Sequence, residues 1–308
     1  MSENLYWPVY KNLERELVNL SELIHIDDSQ LMVYSVKISE LLIRTVVEVE
    51  SIVKELYFLN GGSKLDDKDL FFDTDCIELL ESNWELGKKT VLVSAANFYF
   101  IDENNKVLKP LYKSNKRGSS SSDWQKAYQA IKHNRAKNLS KGNLKNLIRA
   151  LAGLFILNIY YKNNVFNLEK NNTGTNFDES LGSSIFSIKV HLNKGVSIEK
   201  EYEKKDGFEE CIYLIKPTNE TRIVVRQEMK VFNDKVQEKI SLNLLAEIQK
   251  VSSENISLNN EETISNFKDT IDKLRGDYTI QVANESGFKI KQAMDGLKYE
   301  AILNTNQY

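Results

Sequence analysis

The segment from Asn143 to Tyr161 constrains the fold most strongly, because from Ala150 onward the helix that it predicts is apolar on every face. A helix that is apolar all round has to be buried by neighbouring elements. Its longest apolar run, Ala150 to Leu157, spans eight residues, whereas about 20 residues are needed to cross a bilayer. We therefore expect a central core helix and no membrane partner.

A second long helix is predicted over residues 30–58, where a wide apolar arc leaves one narrow charged stripe. The stripe contains Glu40, Arg44 and Glu48, spaced so that side chains four residues apart meet on a helix. Two interpretations are open. The stripe is a solvated face of ion pairs, or Arg44 and the two glutamates line a cleft against another helix.

Strand signals occur in both halves of the chain. Residues 90–94 and 97–101 are rich in β-branched and aromatic residues and predict a small β-hairpin inserted among helices. Residues 169–183 have the polar composition of a linker, and the pattern after them changes. Helices are predicted there at 234–251 and 261–275. The strands predicted beyond the linker are 185–192, 211–215, 221–225 and 278–282.

The predicted fold class is α+β. A mainly α-helical bundle in the first half, with the small inserted β-hairpin, is followed by a smaller mixed α/β domain. The predicted domains are 1–168 and 184–308, joined by the linker 169–183.

Charge is unevenly distributed along the chain. The segment from Lys106 to Arg149, here called the basic segment, holds twelve lysines and arginines and one acidic residue, Asp123, whereas the remainder holds 29 basic and 43 acidic residues. Basic residues beside Tyr112, Trp124 and Tyr128 suit a groove that follows a phosphate backbone and stacks bases. The segment therefore binds RNA or another phosphate-bearing ligand, or the acidic remainder neutralises it internally. The candidate phosphate-binding residues are Lys116, Arg117, Lys126, Tyr128, Lys132, Arg135 and Lys137.

The sequence contains no phosphate loop, no dinucleotide-binding glycine pattern, no paired-histidine zinc motif and no nucleophile elbow. Three histidines and two cysteines are scattered along the chain, so we expect no metal and no cofactor. The two lone cysteines favour a reducing compartment, and the first residues lack a secretion-type apolar segment. We expect a cytoplasmic protein.

His133 is the histidine of the basic segment and the candidate for acid–base chemistry. A neutral imidazole can act as a general base, and Lys132, Asn134 and Arg135 can bind an anionic substrate. On a regular helix His133 lies roughly opposite Arg135, so the two act on one atom only if the helix ends near Asn134. The alternative is a solvated basic helix face without chemistry.

Three features in this order resemble divergent bacterial members of the HEPN superfamily of helical bundles. They are the long helix with its Arg/Glu stripe, the string Tyr128-Gln-Ala-Ile-Lys132-His133-Asn134-Arg135, and the apolar helix from Ile148 to Tyr160. The resemblance covers about residues 30–162. It implies a helical bundle, a homodimer, and a role in a bacterial toxin, anti-phage defence or RNA processing.

The ribonucleases of that superfamily use an arginine and a histidine a few residues apart, without a metal. By the resemblance His133 takes the catalytic position. No arginine occurs in residues 127–132, so Arg44 is the candidate to replace it, with Glu40, Glu48 and Asn134 in support. The predicted function is an HEPN-like protein with a basic RNA- or nucleotide-binding surface, in its catalytic form a metal-independent ribonuclease. The alternative is a non-catalytic scaffold that assembles with a protein partner.

Overall fold

The structure, a computed structural model, describes residues 5–64, 68–197, 200, 202–253 and 261–306. These residues form eight α-helices and nine short strands, which confirms the predicted α+β class. The helices are α1 (Tyr6–Ser21), α2 (Val36–Leu59), α3 (Glu78–Trp84), α4 (Glu103–Lys106), α5 (Asp123–Asn134), α6 (Leu144–Lys162), α7 (Asn219–Ser253) and α8 (Glu261–Asp295). The strands are β1 (Ile26–Asp27), β2 (Val91–Val93), β3 (Phe98–Tyr99), β4 (Val107–Leu108), β5 (Phe166–Glu169), β6 (Phe186–Ile188), β7 (Val190–Leu192), β8 (Tyr213–Pro217) and β9 (Tyr299–Leu303).

The helix α6 is the centre of the core, as its apolar sequence predicts. Of its 19 residues, 15 are buried, including both faces of the run from Ala150 to Leu157. The helices α1, α2 and α5 pack against it. Aromatic rings extend these contacts, because Tyr10 of α1 stacks on Phe155 with ring centroids 5.5 Å apart.

The long helix predicted over residues 30–58 is formed as α2, which begins at Val36 and ends at Leu59. The side chain of Ser35 accepts a hydrogen bond from the backbone N–H of Ile38 and caps its start. Its buried residues recur at three- and four-residue steps and face α6 and its neighbours.

The predicted β-hairpin is wrong, because its two strands pair with other partners. The strand β2 lies between β4 and β6, antiparallel to both, and β3 pairs in parallel with β1. The carboxylate of Asp28, next to β1, accepts the backbone N–H of Ile101 at 2.8 Å and holds this arrangement. Composition predicts a strand, but it does not predict which strand is its partner.

Two sheets join residues on both sides of the predicted linker. The strand β2 pairs with β6, and β5 pairs with β9 in the sheet of order β5-β9-β8-β7. Inside the linker range, Phe177 is buried and packs on Tyr213 of β8. The contacts therefore run across the linker, and the division into two domains stays a prediction.

Two predicted strands of the second half lie in helices instead. Residues 221–225 belong to α7 and residues 278–282 to α8, and these two helices pack against each other. Within residues 278–282, Val282 belongs to the buried face of α8 and packs on Val236 and Ile240 of α7. The predicted strand 185–192 splits into β6 and β7, which lie in different sheets. Among the described helices none is both long enough and apolar enough to span a bilayer.

Candidate nucleic-acid interface

The basic segment is fixed to the core by buried side chains in its first half. Leu111 packs on α6 at Gly153, where a Cβ atom would lie 3.2 Å from Leu111 Cδ2, so the glycine permits this close approach. The indole Nε1 of Trp124 donates to the backbone carbonyl of Pro110 at 2.8 Å. The loop before α5 is thereby held against α6 while Tyr112, next to Leu111, is 59% exposed.

Residues Gly118 to Ser122, here called the serine loop, lead into α5. Gly118 has a φ of +67°, the left-handed region that glycine adopts without strain. Ser122 caps α5 in a capping box with Gln125. The amide of Gln125 also donates to the carbonyl of Ser114 at 2.8 Å, which ties the loop to the helix.

The helix α5 ends one residue after His133. Its last residue is Asn134, whose side chain accepts the N–H of Lys137 and opens a 3₁₀ turn over Arg135–Lys137. His133 and Arg135 are therefore not on one continuous helix. Both are exposed, as are Lys132 and Lys137.

One cavity brings together three of the predicted residues. Arg117, Lys126 and His133 line a cavity of about 550 Å³, here called the His133 cavity. Arg117 does not face it as a free cation, because its Nε lies 3.3 Å from Oδ2 of Asp73, and its guanidinium stacks 3.7 Å from the ring centre of Phe71. Asp73 is 7% exposed, so this arginine neutralises a buried carboxylate.

Arg44 is not brought to His133. Its Nη2 donates to Asn12 of α1 at 3.4 Å. The α2 residue near Lys132 of α5 is Glu50, which lies about 120° around the helix from Arg44. Burial raises the pKa of Glu50, and Lys132 opposes this rise. The predicted pairing of Arg44 with His133 is therefore not formed.

The polar stripe of α2 is a largely solvated face. Glu40 and Arg44 are exposed and Glu48 is half-buried. Burial raises the pKa of Glu48, and the nearby Arg44 opposes this rise. Of the two interpretations of the stripe, the structure favours the solvated one.

The stacking role predicted for Trp124 and Tyr128 is wrong. Trp124 is 1% exposed and Tyr128 is 3% exposed, because they share the apolar face of α5 with Ile131 and pack in the core. Tyr112 is the aromatic residue of the basic segment that remains accessible to a base. The pattern of four- and three-residue steps on α5 carried this information in the sequence.

A second cavity lies on the other side of the serine loop. It has a volume of about 720 Å³ and is here called the Arg149 cavity. Two of its cations are paired: Lys109 with Glu210 at 2.7 Å and Lys126 with Asp123 at 2.9 Å. Among the described residues, Asp123 is the only acidic one that lines it.

Three further cations of the Arg149 cavity, Lys113, Lys145 and Arg149, form no ion pair with the residues that the structure describes. Arg149 and Lys145 are half-buried. Burial lowers the pKa of Arg149, and Asp123 opposes this shift.

The sequence prediction did not select these three residues. The sequence nevertheless indicates two of them. Lys145 and Arg149 are the only charged residues of α6 before Lys162, and they lie one helical turn apart. The first turn of α6 contains Lys145 and no acid, although a cation near a helix N-terminus costs about 0.3–1 kcal/mol.

Within the described ranges, no group of three or more His, Cys, Asp or Glu residues is arranged to hold a metal ion. No family model matches the chain, and no curated protein or solved structure matches it. Function is therefore inferred from the two cavities and from the exposed cations around them.

Proposed function

We propose that the chain is an HEPN-like bacterial protein whose basic segment binds single-stranded RNA. The observation that supports this is that acidic residues neutralise only part of the positive charge of the basic segment. Five of the twelve cations form ion pairs, and in the part of the chain that the structure describes the other seven form none. The unpaired cations are Lys113, Lys132, Arg135, Lys137, Lys141, Lys145 and Arg149.

Three of these cations, Lys113, Lys145 and Arg149, line one cavity with the serine loop and the accessible ring of Tyr112. The others follow at the end of α5 and beyond it, so the cations are spread along a surface, which suits a flexible strand. Cations follow the phosphates, while one aromatic face stacks a base without regard to its identity. The expected binding is therefore tolerant of sequence and strongly dependent on salt.

The test is fluorescence anisotropy of a labelled single-stranded RNA over a salt series. If about five phosphates are neutralised, the logarithm of the affinity falls with the logarithm of salt with a slope of about −3 to −4. A triple variant, Lys132→Gln, Arg135→Gln and Lys137→Gln, is expected to weaken binding and to flatten this slope. The matched control replaces three exposed lysines of α7 and α8 with glutamine: Lys230, Lys235 and Lys289.

Absence of RNA binding at low salt contradicts the proposal. It favours the alternative of a non-catalytic scaffold, whose partner is a protein. Equal losses in the triple variant and in the control also contradict it, because they assign the binding to net charge alone.

Metal-independent cleavage of the bound strand is a second candidate function, favoured because His133 lines a cavity with cations of the basic segment. His133 would take the proton of a ribose 2′-hydroxyl, and the resulting oxygen would attack the adjacent phosphorus. The 5′-oxygen leaves as it takes a proton from solvent water, and His133 returns its own proton to solvent, which gives a 2′,3′-cyclic phosphate and a 5′-hydroxyl end.

Cleavage is tested in the presence of a metal chelator, with the product ends identified by mass spectrometry. His133→Asn is expected to abolish cleavage while RNA affinity stays within about 3-fold, because the exposed imidazole contributes little to phosphate binding. Wild-type protein that binds RNA and leaves it intact excludes the nuclease and keeps the binding function. The homodimer implied by the HEPN resemblance is tested by sedimentation of the full chain.

A further inference from the structure

The Arg149 cavity differs from an open groove in its size and in its mixed lining. Its volume of about 720 Å³ falls in the range of small-molecule sites, roughly 300–1,000 Å³. Val107, Leu108 and Pro110 line it together with five cations. Such a lining suits a ligand with an aromatic body and a highly charged end.

The charged end of the ligand is an anion. Arg149 is a half-buried guanidinium without an ion pair in the described ranges, and its fork of N–H donors matches two oxygens of a phosphate. Lys145, one turn earlier on α6, lines the same wall. Its backbone N–H donates to the carbonyl of Leu31 at 2.9 Å, which fixes the start of α6 in place.

Loop residues that line the same cavity supply polar and aromatic groups. Ser119 and Ser120 of the serine loop are exposed there and carry hydroxyl donors. The ring of Tyr112 lines the cavity, and Nζ of Lys113 lies 5.2 Å from its centre. A base stacked on this ring is also close to a cation.

We propose that the Arg149 cavity binds a nucleoside phosphate, with the phosphate on Arg149 and Lys145 and the base against Tyr112. The inference rests on the proposed function, because the phosphorylated end of the bound RNA is one source of this ligand. A free nucleotide is the other source. Three unpaired cations favour a phosphate monoester, which carries nearly two negative charges, over an internal diester, which carries one.

The experiment titrates wild-type protein with adenosine 5′-monophosphate and with adenosine by calorimetry. In parallel, anisotropy compares a 5′-phosphorylated oligoadenylate with the same strand ending in a 5′-hydroxyl. The phosphate is expected to strengthen binding by about tenfold or more, the usual contribution of charge-assisted hydrogen bonds.

Three variants assign the binding to the cavity. Arg149→Met keeps the aliphatic packing and is expected to weaken nucleotide binding by about tenfold or more. Tyr112→Ala changes an exposed side chain and is expected to weaken it by about fivefold or more. Arg15→Met, an exposed arginine of α1 away from the cavity, is the matched control and is expected to leave it unchanged.

The outcomes separate this inference from the proposed function. Nucleotide binding that depends on the phosphate, Arg149 and Tyr112 supports it, and preference for the phosphorylated strand identifies the RNA end as the source. RNA binding that ignores the terminal phosphate and Arg149→Met, without nucleotide binding, overturns the inference and keeps the proposed function. If neither RNA nor nucleotide binds, both are overturned. If Arg149→Met does not fold, Tyr112→Ala alone decides, because loss of the exposed ring leaves the core intact.

Discussion

The two cavities on either side of the serine loop contain the same kinds of residue but use them differently. In the His133 cavity the arginine is paired, because Arg117 neutralises the buried Asp73 at 3.3 Å. In the Arg149 cavity the arginine is half-buried and has no ion pair among the described residues. Both cavities share Lys126 and part of the serine loop.

This difference separates cations that stabilise the fold from cations that are available to a ligand. Removing one partner of a buried pair leaves an uncompensated charge, whereas an unpaired half-buried cation contributes little or is unfavourable. The His133 cavity contains the residues that a motif search selects, yet its arginine has a structural partner. The Arg149 cavity contains no motif, and three of its five cations, Lys113, Lys145 and Arg149, form no ion pair with the described residues.

The largest expected effect is on stability. Arg117→Met leaves the carboxylate of Asp73 without its cation and should lower the free energy of unfolding by about 1–3 kcal/mol. Arg149→Met removes a desolvated charge and should change it by about 0.5 kcal/mol or less. Urea denaturation followed by circular dichroism measures both under the same conditions.

Equal destabilisation in the two variants breaks the comparison. In that case Arg149 stabilises the fold as Arg117 does, and its proposed role in ligand binding is contradicted. Arg15→Met serves again as the control for an exposed helical arginine.

The next effect concerns RNA affinity. Asp73→Asn keeps the hydrogen bond that Oδ1 accepts from the N–H of Thr74 but removes the charge that holds Arg117. The released guanidinium should strengthen RNA binding about 3- to 10-fold at low salt and steepen the salt slope by about 0.7. Anisotropy at two salt concentrations is sufficient to measure it.

The control for this variant is Asp75→Asn, which changes the net charge equally in the same helical turn. Asp75 accepts the N–H of Phe71, and it forms no ion pair with Arg117. A gain in affinity of equal size in both variants assigns the effect to net charge and contradicts a specific release of Arg117.

The helices of the first half were predictable because their signals are local. The burial of α6 follows from its all-round apolar sequence. The end of α5 at Asn134 was not predicted, because the sequence around Asn134 contains neither glycine nor proline. Strand pairing was not predictable, since β2 meets β6 across more than ninety residues of chain. The apolar segments 221–225 and 278–282 have high β-propensity, but packing between α7 and α8 overrides it.

The candidate site was predictable only as a region. Charge segregation locates the basic segment, but it does not tell which cations are paired, because Arg117 meets an aspartate 44 positions earlier in the chain. The burial of Tyr128 follows from the face that it shares with Trp124 and Ile131. The role proposed for Arg149 was not predictable from the sequence, since the other residues of its cavity lie within 104–113 and 119–126 as well as on α6.

The smallest expected effect tests whether Asp123 is held by Lys126 or by Arg149. The hydrogen bond from Lys126 lowers the pKa of Asp123, so its contribution to stability is full above about pH 4 and is lost as the pH falls through the folded pKa. The carboxylate is 61% exposed, so this contribution is at most about 1 kcal/mol. NMR titration of Asp123 should show its pKa rising in Lys126→Met and moving much less in Arg149→Met. The reverse order would make Asp123 the partner of Arg149, and the arginine would then belong with Arg117 among the cations that the fold already uses.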